Sequence, residues 1–363
     1  MKITSVETFT NKFIGVVRVR TDDGSEGYGQ VAPYHADITA KVLHRQIIPH
    51  VLGQDATDIA KLVERCIVGE HKFPGSYVCR AVGGIDTALW DLHAKQKGMS
   101  VSKLLGGTKR QLAVYGSSMR RDITPEAEAE RLVRLQQEQG FQAFKIRIAN
   151  NFGNDIDRWP GRTEAIVPTV RKAIGEHTEL LVDANSGYTP KRAIEVGRML
   201  EEYGVGHFEE PCPYPELEWT AEVATALNIP VSGGEQECDL AQFRRMIRMG
   251  AVDIVQPDVC YVGGVSRALA VARMAEEAGL VCTPHAANRS MVALFTLHLQ
   301  AALPNAGHFM ECSIESPPWV ECLFTSDPFK IVDGQINIPD EPGWGVTINP
   351  EWLEKAEYTV SSP

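Results

Sequence analysis

Six ionisable residues recur along the second half of the chain at nearly constant spacing. Asp183, Glu209, Glu235, Asp258, His285 and Glu311 follow one another at intervals of 26, 26, 23, 27 and 26 residues. Each stands at or just after a short apolar run, at 180–182, 207–208, 231–232, 254–256, 281–283 and 309–310. A strand with its return helix takes about this length, since eight such units make a barrel of roughly 250 residues. A single acid after a strand is most often a helix N-cap. Six at one phase point instead to a shared site, because all strand C-termini of a barrel open onto one face. Asp183, Glu209 and Glu235 are hard oxygen donors with no Cys or His among them. That set suits one Mg2+ ion, or Mn2+, completed by water and substrate oxygens. Gathered without a cation, three carboxylates would repel and raise one another's pKa.

The elements that must position these residues can be read around them. Two further apolar runs, 112–115 and 144–148, bring the strand count to eight. Amphipathic helical stretches alternate with them, which is the pattern of βα units and a parallel sheet. No G-x-G-x-x-G or P-loop follows the first strand, so a dinucleotide or nucleotide fold lacks its anchor. Ahead of the barrel the texture differs. Residues 14–20 and 26–29 flank Asp22-Asp23-Gly24 as a β-hairpin, and 36–97 reads as helical. The expectation is an α/β protein: a modified (β/α)7β barrel over 111–325, an α+β capping domain over 1–110, and a segment, 326–363, returning to the cap.

Composition bounds the rest. The chain has 363 residues, 44% of them apolar and 23% charged, with a net charge of −11. That length supports a barrel plus a small second domain. The acid surplus argues against nonspecific nucleic-acid binding. No apolar run of 18 residues is present, so no membrane span is expected. Met1 to Glu7 lacks the apolar core of a secretory leader, and a cytoplasmic location is the expectation. The eight cysteines, at 66, 79, 212, 238, 260, 282, 312 and 322, are scattered without a CxxC pair. Buried free thiols are expected rather than a disulfide framework.

The motifs together resemble the enolase superfamily, within it the mandelate racemase subgroup. The matching residues are Lys145-Ile146-Arg147, Val182-Asp183-Ala184-Asn185, Phe208-Glu209-Glu210-Pro211 and Gly233-Gly234-Glu235-Gln236. They continue with Gln256-Pro257-Asp258, Gly263-Gly264, His285, Glu311 and the closing stretch from Asp333 to Gly345. The resemblance spans essentially the whole chain. It implies a Mg2+ ion on Asp183, Glu209 and Glu235, and a small carboxylate substrate that loses the proton α to its carboxylate. His285 is the expected base, with Asp258 holding its other ring nitrogen. Glu311 is expected against the substrate carboxylate, protonated so that it can donate. Asn185 is expected to contact the substrate or to support a metal-bound water, and Tyr34 and His35, from a loop of the cap, to contact the substrate.

Two departures narrow the chemistry. No lysine lies between Lys191 and Lys330, so the relatives that use a lysine after the sixth strand are disfavoured. Where two-base relatives carry Lys-x-Lys, this chain has Lys145-Ile146-Arg147. Arginine stays protonated at working pH, so Arg147 is a poor base and a good carboxylate clamp, and Lys145 is expected to add charge near the substrate carboxylate. One competent base suits dehydration of an acid sugar, an aldonate or aldarate, to a 2-keto-3-deoxy acid. A racemase or epimerase of a 2-hydroxy acid, which needs two bases, is the alternative. A homo-oligomer is expected from the family.

Overall fold

The computed structural model describes residues 1–286 and 288–362. The chain opens with a three-stranded antiparallel meander, β1 (Ile3–Thr10), β2 (Gly15–Thr21) and β3 (Glu26–Val31). The β2–β3 turn follows from its sequence. Asp23 accepts from the Thr21 hydroxyl at 2.7 Å, and Gly24 takes φ 82°. Sequence reading placed β2 and β3 but not β1, whose partner across its outer edge is distant in the chain. Three main helical stretches follow, Ala36–Val51, Ile59–Gly69 and Ser76–Gln96, so the expected helical region is interrupted twice.

The barrel strands are β4 (Gln111–Ser117), β5 (Ala143–Arg147), β6 (Glu179–Asp183) and β7 (Val205–Glu209), then β8 (Val231–Gly233), β9 (Ile254–Val255), β10 (Val281–Cys282) and β11 (Phe309–Ser313). From β4 to β10 each pairs in parallel with the next, and β11 pairs in parallel with β4. Between β10 and β11 the join is made by the segment before β11: Cys282 N donates to Asn305 O at 2.9 Å. A helix follows each of the first seven strands, and after the eighth comes only a single 3-10 turn, Pro318–Val320, before the C-terminal segment begins, which is the (β/α)7β order. Strand interiors are fully buried on both faces, as expected of a parallel sheet.

The C-terminal segment returns across the molecule. Strands β12 (Ile331–Val332) and β13 (Gln335–Asn337) form a hairpin that lies antiparallel on the lower edge of β4. Trp344 is then buried under the cap, its Nε1 donating to Thr87 O at 3.1 Å. Strand β14 (Glu357–Ser361) completes the cap sheet beside β1, so its order is β14-β1-β2-β3.

One helix, Ser76–Gln96, joins these parts through two buried carboxylates. Asp86 accepts from Val265 N at 2.6 Å and Ser266 N at 3.2 Å, capping the barrel helix Val265–Glu277. Asp91 accepts from Tyr28 N at 2.7 Å and Trp344 N at 2.9 Å, and pairs with Lys95. The fit is close. A Cβ on Gly27 would lie 2.1 Å from Ala88 O, and one on Gly264 (φ 107°) 2.3 Å from Asp86. No helix among the described residues is long and apolar enough to cross a membrane.

Candidate active site

Strand register brings the ionisable residues together. Arg147 lies beside Asp183, Asp183 beside Glu209, and Asp258 beside His285, all at the C-terminal ends of neighbouring strands. Lys145 and Arg147, two apart on β5, reach the same acids, as period-two alternation requires. Lys145 Nζ lies 2.6 Å from Glu209, 2.8 Å from Glu311 and 4.0 Å from Asp183. Arg147 Nη1 is 2.9 Å from Asp183. Glu209 also accepts from Gln256 Nε2 at 2.9 Å. All of these groups are buried.

Asp258 has two duties. Its Oδ1 accepts from Cys260 N at 2.8 Å and Tyr261 N at 3.0 Å, capping the short helix Val259–Val262. Its Oδ2 holds His285 Nδ1 at 2.8 Å. The ordinary N-cap use of an acid after a strand therefore coexists here with a His–Asp pair. His285 Nε2 points at Glu235, 3.1 Å away, with Glu311 at 3.8 Å. Burial would lower the His285 pKa, but Glu235, Glu311 and Asp258 outweigh it and push it up to about 10.

His285, Glu235 and Arg147 line a cavity of about 350 Å3. Tyr34 of the cap, Met119, Asn185, Ser186, Glu210 and Tyr261 also line it, with Asn151, Phe152, Tyr214 and Gln236. A larger cavity of about 540 Å3 lies between β3, the Ser76–Gln96 helix and the C-terminal segment. It contains no His–carboxylate pair, so the chemistry belongs to the smaller one. Tyr34 packs at 5.5 Å on Trp319, which stacks on Phe13, so the two cap loops meet the loop after β11 at the mouth.

Several expected residues sit differently. His35 is exposed at the N-cap of the first helix and does not line the cavity. Lys145 lies under the acids and does not line it either. Glu311 stands here as a hydrogen-bond acceptor, where a donor was expected. Burial would raise its pKa, but Lys145 and His285 hold it down to about 2, and Ser117 Oγ and Ala286 N donate to it. Asn185 does line the cavity. It takes φ 43°, and its Oδ1 accepts from Arg121 Nη2.

Glu210 and Arg121 were not singled out from sequence. Glu210 is buried and faces the cavity, and burial plus Glu235, Asp183 and Glu209 push its pKa well up. Its only sequence signal was its place beside Glu209. Arg121, from the loop after β4, has its pKa lowered to about 10 by burial and by Arg147. Among the described residues it has no carboxylate partner, only Asn185 Oδ1 and Ile148 O.

The donor set can be tested for a cation. Among the described residues no three Asp, Glu, His or Cys side chains stand ready as a metal cage. Asp183 is turned onto Arg147, Glu209 onto Lys145 and Glu235 onto His285. Yet carboxylates outnumber cations: Asp183, Glu209, Glu210, Glu235, Asp258 and Glu311 face Lys145, Arg147, Arg121 and His285, with His207 Nε2 3.4 Å from Glu209. The shortfall is visible in Asp183, whose pKa burial, Glu209 and Glu235 push up to about 7 despite Arg147 and Lys145. The buried Oε1 of Glu210 has no partner among the described residues, while the inward oxygens of Asp183 and Glu235 face Arg147 at 2.9 Å and His285 at 3.1 Å as ion pairs without hydrogen-bond geometry. Hard anionic oxygens lacking positive charge fit a hard divalent ion.

Known proteins agree with this architecture. Residues 2–106 match the mandelate racemase/muconate lactonizing enzyme N-terminal domain, and 127–352 the enolase C-terminal domain-like family. An arabinonate dehydratase of Saccharolobus solfataricus is 31% identical, over 96% of this chain and 91% of its own length. An L-talarate/galactarate dehydratase of Salmonella typhimurium is 30% identical, over 94% and 81%. A solved structure from Roseobacter denitrificans, carrying a provisional racemase name, is 56% identical with a TM-score of 0.99 over all of both chains. With the cap matched by one model, the barrel by the other and the acids in register on successive strands, the chain belongs to the enolase superfamily, in its mandelate racemase/muconate lactonizing enzyme branch.

Proposed function

We propose that the protein is an acid-sugar dehydratase, a hydro-lyase acting on an aldonate or aldarate. The carrying observation is the His285–Asp258 pair at the cavity wall with Arg147, a group that cannot serve as a base, lining the same cavity. Relatives at 26–31% identity that are named arabinonate, gluconate and galactonate dehydratases support the reading.

Asp183, Glu209 and Glu235 would hold Mg2+, and Mn2+ suits the same donors. When bound, the ion supplies the positive charge that stabilises a carboxylate carrying a second developing negative charge. The remaining work falls to the chain. Arg147 and Asn185 orient the substrate carboxylate. His285 removes the α-proton through Nε2 while Asp258 keeps the ring proton on Nδ1. The same imidazolium then protonates the departing β-hydroxyl, and the resulting enol tautomerises to the 2-keto-3-deoxy acid. With Glu235 turned onto it, His285 is held protonated, which suits the donor half of this cycle. Removing that contact drops the first of the charges that raise its pKa and frees the ring to accept. Tyr34 and the Phe13–Trp319 stack close the mouth, which keeps water from competing.

A racemase or epimerase is the second reading, favoured by the name of the 56%-identical structure. A cytoplasmic homo-oligomer acting on small sugar acids, and not on nucleic acid or membrane, is the setting we propose. Semicarbazide trapping of 2-keto acid across an aldonate and aldarate library tests the assignment. Keto acid from at least one member is expected. Exchange of the α-proton in D2O without keto acid would instead establish the racemase, and neither signal would sink both.

A further inference from the structure

Two of the eight cysteines meet where the cap docks on the barrel. Cys79 lies in the first turn of the helix Ser76–Gln96, and Cys238 in the loop after β8, 159 residues away. Cys79 Sγ donates to Cys238 O at 3.4 Å, and the two thiols are within hydrogen-bonding reach of each other. Arg267 clamps the same point, its Nη2 donating to Cys238 O at 2.9 Å. Cys79 is buried and Cys238 half-buried, so the second cysteine lies nearer the surface.

The pair also differs chemically from the other thiols. Burial pushes Cys66, Cys212, Cys260, Cys282 and Cys312 up, which leaves them inert. Cys238 is the one thiol moved down, by the Cys79 hydrogen bond and Arg267 against burial and Glu237. A half-buried cysteine beside a buried second thiol is the arrangement of attacking and resolving cysteines.

We propose that Cys79 and Cys238 form a thiol–disulfide exchange site that takes a small-molecule disulfide. The Cys238 thiolate attacks one sulfur of that disulfide and expels a thiolate, which takes up a proton. Cys79, losing its proton, then attacks the Cys238 sulfur and expels the second thiol. The protein gives up two electrons and two protons, and the small disulfide becomes two thiols. The bridge fastens the cap helix to the loop that carries Glu235, three residues before Cys238. The cap and a wall of the cavity are thereby fixed to each other.

Oxidised glutathione is the probe, applied to the folded full-length protein in a Cys322→Ser background, because Cys322 is exposed. Intact mass should fall by about 2 Da, and nonreducing digestion should yield one linked pair containing Cys79 and Cys238. With Cys79→Ser added, the exchange should stop halfway, leaving a glutathione adduct of about 305 Da on Cys238. Dithiothreitol should reverse both. An unchanged mass, a link between other cysteines, or Cys79→Ser protein without the Cys238 adduct would overturn the proposal.

Discussion

Replacing Asp258 by asparagine separates the two duties of that side chain. Oδ1 is fixed by two backbone N–H groups, from Cys260 and Tyr261. An asparagine oxygen must stay there, because turning the amide would aim its NH2 at two donors. That flip forfeits two hydrogen bonds, at about 1 kcal/mol each, and leaves buried donors unsatisfied at about 1–3 kcal/mol more. The amide NH2 is therefore locked toward His285 Nδ1, where Oδ2 stood at 2.8 Å. It donates to that nitrogen, which forces the ring proton onto Nε2, the atom that must accept from substrate. Restoring the useful tautomer costs about 3–5 kcal/mol, so α-proton exchange should fall by roughly 10²–10³-fold or more. Asp258→Ala removes the lock along with the partner. It loses the helix cap, about 1 kcal/mol of stability, yet leaves the tautomer free. Per folded molecule, asparagine should thus be the slower variant, with a melting curve close to that of the parent. Exchange can be followed by NMR in D2O and folding by calorimetry. An Asp258→Asn protein as fast as Asp258→Ala, or faster, would refute the tautomer lock.

Four other outcomes follow from the same geometry. His285→Asn should abolish both α-proton exchange and keto-acid formation while leaving sugar-acid binding, measured by calorimetry, within about tenfold; surviving exchange would assign the base elsewhere. Chelation should remove activity, and Mg2+ should restore it, since the acids surrounding Asp183 lack enough positive charge; full activity in excess chelator would count against the ion. His298 bridges Ser102 N and Trp344 O, and burial lowers its pKa to about 4. The unfolded chain takes up that proton first, so this contribution is complete above about pH 6.5 and fades toward pH 4, by up to about 3 kcal/mol; His298→Gln should flatten urea-denaturation stability across that window, and an identical pH slope would contradict it. Gly264→Ala should destabilise by several kcal/mol, because its Cβ would meet Asp86 at 2.3 Å with φ at 107°; an unchanged melting temperature would mean that the helix gives way freely.

The phase of the acids was legible because a parallel barrel converts regular spacing into adjacency. Register puts Arg147, Asp183 and Glu209 side by side, and a sequence shows register through the position of each strand's end. The eight barrel strands were legible for the same reason. Partner identity was not. Nothing local in Glu311 says that Lys145, Ser117 and Ala286 surround it, so its charge state could be found only in the assembled barrel. Arg121 lies in a loop with no periodicity, and its neighbour Asn185 is 64 residues on. The Tyr34-His35 pair looked equivalent as sequence. Both are exposed, but only Tyr34 reaches the cavity mouth, while His35 lies outside it at the N-cap of the first helix. Strand β1 was missed because its outer neighbour, β14, is at the other end of the chain.

That last pairing has a consequence for how the protein comes off the ribosome. The cap's meander and helices are complete long before β14 exists, since Thr10 pairs with Glu357. At about 5–20 residues per second, β1 waits on the order of half a minute with its outer edge open. An open edge is a template for pairing with another chain. Glu7 sits on that edge between Arg18 and Arg20, a charged cluster that discourages a stray strand until the proper one arrives. The nascent cap thus depends on its own charges for solubility during synthesis, and on its tail afterward.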